Sequence, residues 1–263
     1  MSNYVMSDIH GHYNEFLQML EKIQFHAHDT LICAGDYIDK GPKNFEMMNW
    51  IAQAPENVVC LRGNHEEEFA YHIDRMKYIC NTLGLNKNLL EDTILLYQTV
   101  TELEKQDTPS FFDHCGTIGK LITEKSVTFA KLCNWADTIR RMPYIYRTKV
   151  KDRTCIVVHA GYIDNLENAV TEERYESIEE FYLYARDDAY MCGGIPHGMI
   201  IAGHTPTTAD EEFPYNDGNV YRMYDEELDC IFYDIDCGCA MREIKKNAKL
   251  ACIRLEDEKI FYV

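Results

Sequence analysis

Apolar positions along this chain fall into two alternating periods. Tyr4-Val5-Met6 is a short apolar run that stops at an acidic turn. Tyr13, Phe16, Leu17, Leu20 and Ile23 then recur at helical spacing. Thr30 to Ala34 reads as a buried strand, and a glycine-flanked loop from Gly35 to Gly41 follows. Pro42 suits the first turn of a helix whose apolar face is Phe45, Met48, Ile51 and Ala52. Val58-Val59-Cys60-Leu61 is the next strand. This βαβαβ rhythm predicts a parallel sheet with right-handed crossovers.

The pattern changes over residues 67–142, which read as a helical insert or cap. Phe69, Ile73, Met76 and Cys80 step around one helix, and Leu90, Ile94, Tyr97 and Val100 around a second. Ser126 is placed to cap a third, carrying Phe129, Leu132, Cys133, Ala136 and Ile139. No chemistry is legible in this stretch. Strands return at residues 155–158 and 199–202, and Ser177-Ile178-Glu179-Glu180 between them resembles a capping box. The end reads as a meander of strands at 231–236, 250–255 and 260–263, the last two separated by an Asp257-Glu258 turn. Residues 205–229 are acidic, rich in tyrosine and read as a long loop.

Composition narrows the picture. The 263 residues are 46% hydrophobic, enough to bury a core, and the pattern is read as a single domain spanning 1–263. No uncharged apolar run approaches the ~18 residues of a membrane span. The first residues lack the basic and apolar regions of a secretory signal. An odd count of 11 cysteines, several inside apolar runs, fits buried thiols in the cytoplasm better than a disulfide framework. Cys237-Gly238-Cys239 has no second cysteine pair at zinc-site spacing. A net charge of −18 argues against nucleic acid as the main partner.

Polar residues follow each core strand. Asp8 and His10 come after the first, Asp36 and Asp39 after the second, and Arg62, Asn64 and His65 after the third. His159 and His204 follow the two later ones. The carboxyl ends of strands form the ligand crevice of an open α/β sheet, so these side chains can converge. Carboxylate, imidazole and amide oxygen suit divalent metals of intermediate hardness. A pair of ions sharing one carboxylate uses the whole set, and two-metal sites serve phosphoester hydrolysis. His26, His28, His72, His114 and His197 match no motif, His12 is read as starting a helix, and Glu66-Glu67-Glu68 as charge complementing a helix dipole.

Asp8-Ile9-His10-Gly11, Gly35-Asp36-Tyr37-Ile38-Asp39-Lys40-Gly41 and Leu61-Arg62-Gly63-Asn64-His65-Glu66 resemble the signature of calcineurin-like metallophosphoesterases. They are similar in particular to the branch shared by serine/threonine phosphoprotein phosphatases and symmetrical diadenosine tetraphosphatases. Val157 to Gly161, Gly203-His204-Thr205-Pro206 and Asp234 to Cys239 match later blocks, whereas residues 67–153 match only in helical character. The resemblance implies an α/β fold of two mixed sheets packed as a sandwich and flanked by helices. It implies that Asp8, His10 and Asp36 hold one ion, and that Asp36, Asn64, His159 and His204 hold a second. Mn2+ is the expected metal, with Fe and Zn as alternatives. It further implies that a metal-bridging water attacks directly while His65, oriented by Asp39, protonates the leaving oxygen, and that Arg62, Lys40 and Arg186 bind phosphate. Lys40 departs from the phosphoprotein phosphatases, which have Arg there, so the planar bidentate fork is lost.

Three functions fit. The first is a serine/threonine phosphoprotein phosphatase, favoured because acids at 210–212 and 225–229 suit substrates with basic flanks. The alternative is a symmetrical dinucleoside polyphosphate hydrolase. The third is an inactive module that binds metal or a phosphorylated partner. Neither nucleic acid nor membrane is an expected partner, and the sequence leaves the oligomeric state open.

Overall fold

The computed structural model describes residues 1–107, 116–169, 175–209 and 213–263. His114 and the acids at 210–212 lie outside them. The described chain forms two five-stranded mixed sheets. The first holds β1 (Asn3–Met6), β2 (Thr30–Cys33), β3 (Val58–Cys60), β9 (Ala251–Arg254) and β10 (Lys259–Tyr262), in the order β10-β9-β1-β2-β3. β1, β2 and β3 are parallel, as the βαβαβ rhythm predicts, with α1 (Tyr13–Lys22) and α2 (Asn44–Ile51) as crossovers. The second holds β4 (Ile145–Val150), β5 (Arg153–Val158), β6 (Gly198–Ala202), β7 (Tyr221–Asp225) and β8 (Cys230–Asp234), in the order β4-β5-β6-β8-β7. Its central strands β5, β6 and β8 are also parallel.

Strand parity explains the layering. Val5 and Ile32 of one sheet, with Leu61 just after β3, meet Cys155, Val157, Ile201 and Ile231 of the other in a single buried cluster. The alternate residues turn outward. Tyr4, Met6, Leu31 and Cys33 pack under α1, α2, α3 (Asn64–Leu83), α4 (Leu90–Asp107), α5 (Gly116–Thr123) and α6 (Phe129–Arg140). Ile156, Val158, Ile200 and Phe232 pack under α7 (Ile178–Tyr184) and α8 (Asp187–Met191). Both faces of the central strands are covered, which is why they read as continuous apolar runs. α3 packs on α4 and α6, and α5 packs on α4 and on α2.

Four expectations change. The C-terminal strands are not a meander: β8 joins the second sheet, while β9 and β10 form a hairpin beside β1. β7 emerges from the stretch read as loop, as an edge strand with alternating exposure and too little apolar sequence to announce itself. β4, half polar and also an edge, was hidden for the same reason. Thr128, not Ser126, sits at the N-cap of α6, and Ser126 takes a left-handed backbone. Half of the α7 capping box forms: Ser177 Oγ accepts from Glu180 N at 3.2 Å, while the Glu180 carboxylate accepts from Glu176 N at 2.6 Å.

Candidate metal centre

The crevice lies at the carboxyl ends of β1, β2, β3, β5 and β6, where the chain leaves each strand abruptly. Asp8, His10, Asp36, Asp39, Lys40 and His204 all adopt positive φ, between 47° and 72°. Asp and His tolerate that region better than most residues, but it still costs on the order of 1 kcal/mol each. Gly35 has φ +97°, and a Cβ there would lie 2.6 Å from the Gly63 Cα. In turn, a Cβ on Gly63 would lie 2.3 Å from Asp36 Oδ1. Two glycines thus let the loops after β2 and β3 touch, which brings Asp36 beside Asn64.

The six expected ligands meet. His10, Asp36 and His65 place one donor atom each within 4.8 Å of the others, and so do Asp36, His159 and His204. Asp36 belongs to both groups. The first group differs from expectation in holding His65 where Asp8 was expected. Asp8 Oδ1 stands 3.9 Å from His10 Nε2 and has no hydrogen-bond partner among the described residues. Asp8 Oδ2 accepts from His204 N at 3.0 Å, which links β1 to the loop after β6.

Backbone carbonyls set two of the imidazoles. His10 Nδ1 faces the Ile38 carbonyl at 2.9 Å, and His159 Nδ1 faces the Ala34 carbonyl at 2.9 Å. With those protons on Nδ1, each Nε2 lone pair turns inward. His159 Nε2 then points at Asn64 Oδ1 (2.9 Å), His204 Nδ1 (3.2 Å) and Asp36 Oδ1 (3.4 Å). Lone pairs converging from buried acceptors repel one another unless a cation sits between them. The donor set therefore fits divalent metal, with Asp36 common to both groups. The charges agree. Burial lowers His10 to about 3 and pushes His204 well below the ordinary imidazole range. Burial would raise Asp36, but His159, His65, His10 and His204 outweigh it and hold the carboxylate ionised. Asp8 is raised, by burial first.

His65 is different. Its Nδ1 lies 2.6 Å from Asp39 Oδ2, and its Nε2 lies 3.8 Å from Asp36 Oδ2. Burial lowers its pKa, yet Asp36 and Asp39 raise it to about 9, so it is an imidazolium at neutral pH. Lys40 Nζ stands 3.4 Å from His10 Nε2. Arg186 reaches the His204 carbonyl and Thr205 Oγ1, both at 3.4 Å, at the edge of the second group.

Arg62 is not available as a phosphate clamp. It is buried, and its guanidinium donates to Glu67 Oε2, Tyr144 Oη and the Arg140 carbonyl, each at 2.8 Å. It joins α3 and α6 to the start of β4. Glu66, read as dipole charge, has a larger role. It is fully buried, and its carboxylate accepts from Asp36 N (2.8 Å), Tyr37 N (2.9 Å) and Gly63 N (3.1 Å). Burial and the Asp36 charge push its pKa up to about 8, against the pull of those N–H donors. Its adjacency to His65 was the available signal. Asp234 and Asp236 form a second buried layer behind Asp8. Asp234 accepts from Tyr190 Oη (2.6 Å) and from Asp236 N (2.9 Å), and both acids are raised by burial first.

A family model for calcineurin-like phosphoesterases matches residues 1–236. The chain belongs to that family. The enzyme class expected from the motifs, a phosphoester hydrolase, is the one this family names. Among curated relatives, the symmetrical bis(5'-nucleosyl)-tetraphosphatase of Buchnera aphidicola subsp. Baizongia pistaciae is 42% identical over 67 residues, 25% of this chain and 24% of that protein. The protein of the same description from Vibrio vulnificus is 31% identical over 93 residues, 35% of this chain and 31% of that protein. The matches thus span about a quarter to a third of these relatives. A solved structure described as a “putative diadenosine tetraphosphatase” aligns with TM-score 0.53 and 16% identity, covering 99% of this chain and 92% of that one. That likeness establishes the calcineurin-like phosphoesterase fold: two mixed sheets flanked by helices.

Proposed function

We propose that this calcineurin-like phosphoesterase is a binuclear-metal hydrolase of symmetrical dinucleoside polyphosphates. The observation that carries the chemistry is the pair of donor groups sharing Asp36, the first of which includes His65 with its Nδ1 held by Asp39. Asp8, His10 and Asp36 would hold one ion, and Asp36, Asn64, His159 and His204 the other. When bound, the ions neutralise phosphate charge and make water a better nucleophile; Mn2+ is the proposed metal. Asp39 holds the His65 imidazole in one orientation and keeps its proton in place. His65 delivers that proton to the departing oxygen. Arg186 and Lys40 supply positive charge at opposite edges of the cluster. The cytoplasm is the proposed location, supported by buried free thiols such as Cys33, Cys155 and Cys252.

Two observations favour dinucleoside polyphosphate over phosphoprotein. The curated relatives that match carry the tetraphosphatase description. The part of that acidity at residues 225–229, which favoured basic-flanked peptides, also lies away from the crevice. Asp225 accepts from Glu227 N and Leu228 N in the β7–β8 turn, and Asp229 is engaged by Arg153, His197 and Tyr224. That turn enters β8 at the end opposite the crevice, so these acids do not line the path of a substrate.

The test is Mn2+-loaded protein given diadenosine tetraphosphate and a phosphoserine peptide in parallel. ADP as the sole nucleotide product, with kcat/KM above that for the peptide, is the expected result. Faster peptide dephosphorylation returns the phosphoprotein reading. Loss of both activities in Asp36→Asn is expected in the same assay, and retained activity with retained metal would defeat its bridging role.

A further inference from the structure

His65 defines a side of the site. A proton donor must face the departing oxygen, so the leaving group exits where His65 opens away from the other donors. A cavity of ≈ 290 Å³ begins there, lined by Asp39, Lys40, His65, Thr117 and Lys120 among others. Asp8, Asp36, Asn64, His159 and His204 do not line it. A second cavity of ≈ 210 Å³ continues it, sharing Gly41, Asn44, Thr117 and Lys120 as common walls. Phe45, Leu121 and Lys125 line the far part.

The lining runs against the composition of the chain. The protein carries 44 acidic and 26 basic side chains. Along this cleft Lys40, Lys120 and Lys125 face only Asp39 and Glu124, and Asp39 is already engaged by His65. Among the described residues, no carboxylate lies within ion-pair distance of the exposed Lys40 or Lys120. The frame is built rather than incidental. Asn44 is buried and donates to the Gly41 carbonyl (3.1 Å) and to Thr117 Oγ1 (3.4 Å). It fastens the first turn of α5 to the loop that carries Asp39 and Lys40. The cleft passes from ammonium groups near His65 to the apolar Phe45 and Leu121. A nucleoside diphosphate has the same order, phosphates first and base last.

We propose that Lys120, on α5, binds the phosphates of the leaving nucleoside diphosphate and so sets the preference for dinucleoside polyphosphates over simple monoesters. This rests on the dinucleoside polyphosphate reading of the site. Lys40 contacts the same phosphates nearer the bond that breaks, and Asn44 with Thr117 positions α5. Lysine acts here as a point charge, which suits a flexible polyphosphate chain more than a planar fork does.

The experiment compares kcat/KM for diadenosine tetraphosphate with that for p-nitrophenyl phosphate, whose leaving group carries no phosphate, on Mn2+-loaded protein. Equilibrium binding of ADP is measured alongside. Lys120→Ala is expected to lower the ratio about tenfold through KM, about 1.4 kcal/mol, and to weaken ADP binding about fivefold or more. Lys120→Arg restores most of both, and Lys77→Ala, half-buried on α3 beside Asp74 and Asp137, changes neither. Cleavage of the tetraphosphate with ratio and ADP affinity unchanged in Lys120→Ala overturns the subsite and leaves the function standing. No cleavage by the wild-type protein, with ADP binding that still depends on Lys120, overturns the function and leaves the subsite standing.

Discussion

At His65 two carboxylates win against burial. Burial alone favours the neutral ring, but Asp36 and Asp39 hold the proton up to a pKa of about 9. A general acid works while it is protonated, so its contribution is present below that pKa and is lost as pH rises through it. Asp39→Asn removes the partner at 2.6 Å and lowers the pKa of His65. The alkaline limb of kcat should therefore move to lower pH, with kcat at neutral pH reduced. A pH profile of kcat identical to wild type in Asp39→Asn would show that Asp39 does not hold the proton. The same scale explains two residues that the motifs leave ambiguous. Arg62 and Glu66 both sit in the Leu61-to-Glu66 segment, but only three-dimensional partners decide their work. Arg62 is consumed by Glu67, Tyr144 and Arg140, and Glu66 by backbone N–H groups.

At the scale of elements, the centre is an assembly of strand ends held by loop-to-loop contacts. Glu66, at the start of α3, accepts from N–H groups of Asp36, Tyr37 and Gly63 and thereby locks the loop after β2 to the loop after β3. Glu66→Ala strands these three buried donors. At about 1–3 kcal/mol for each unsatisfied group, unfolding free energy should fall by about 3 kcal/mol or more. Urea denaturation checks it, and a loss below about 1 kcal/mol would mean that water takes over the acceptor role. The edge strands follow a different rule. β4 and β7 each have one paired side, so their sequences alternate or turn polar and resemble loop. Three helices of residues 67–142 were legible because each buries one stripe, as Phe69, Ile73 and Met76 do on α3. α5 is eight residues long and was too short to stand out, although it carries Lys120.

At the scale of the whole molecule, a chain of charge −18 folds with Asp8, Asp36, Asp234 and Asp236 all buried in or behind one crevice. Dications offset that concentration of charge and would let an anionic substrate approach an acidic protein. Metal should therefore stabilise the fold as well as serve the reaction. With Mn2+ at about a hundred times its dissociation constant the gain is about 2.7 kcal/mol, or roughly 5–10 °C in Tm for a chain of this size. EDTA should abolish turnover and lower Tm by that amount, and added Mn2+ should restore both. An unchanged Tm would separate the donor cluster from metal binding. Among the described residues no helix is long and apolar enough to cross a membrane.

The sequence by itself determined the parallel core strands, the main helices and the meeting of Asp8, His10, Asp36, Asn64, His159 and His204. These are consequences of local period and of the rule that loops at strand ends share one crevice. Tertiary structure alone decided the rest. Asp225 and Asp229 belong to the acidic stretch that follows His204 but lie at the end of β8 opposite the crevice, because strand direction is a property of the sheet. β8 and β9 part company because apolar residues on both faces satisfy either sheet, and only pairing with β6 or β1 chooses. Lys120 reaches the cleft beside His65 because α5 packs on α2 and α4 and Asn44 ties its first turn to the loop of Lys40, a contact between residues 73 positions apart. A side chain's type and spacing announce what it can do, whereas its partners across such distances decide what is left for it to do.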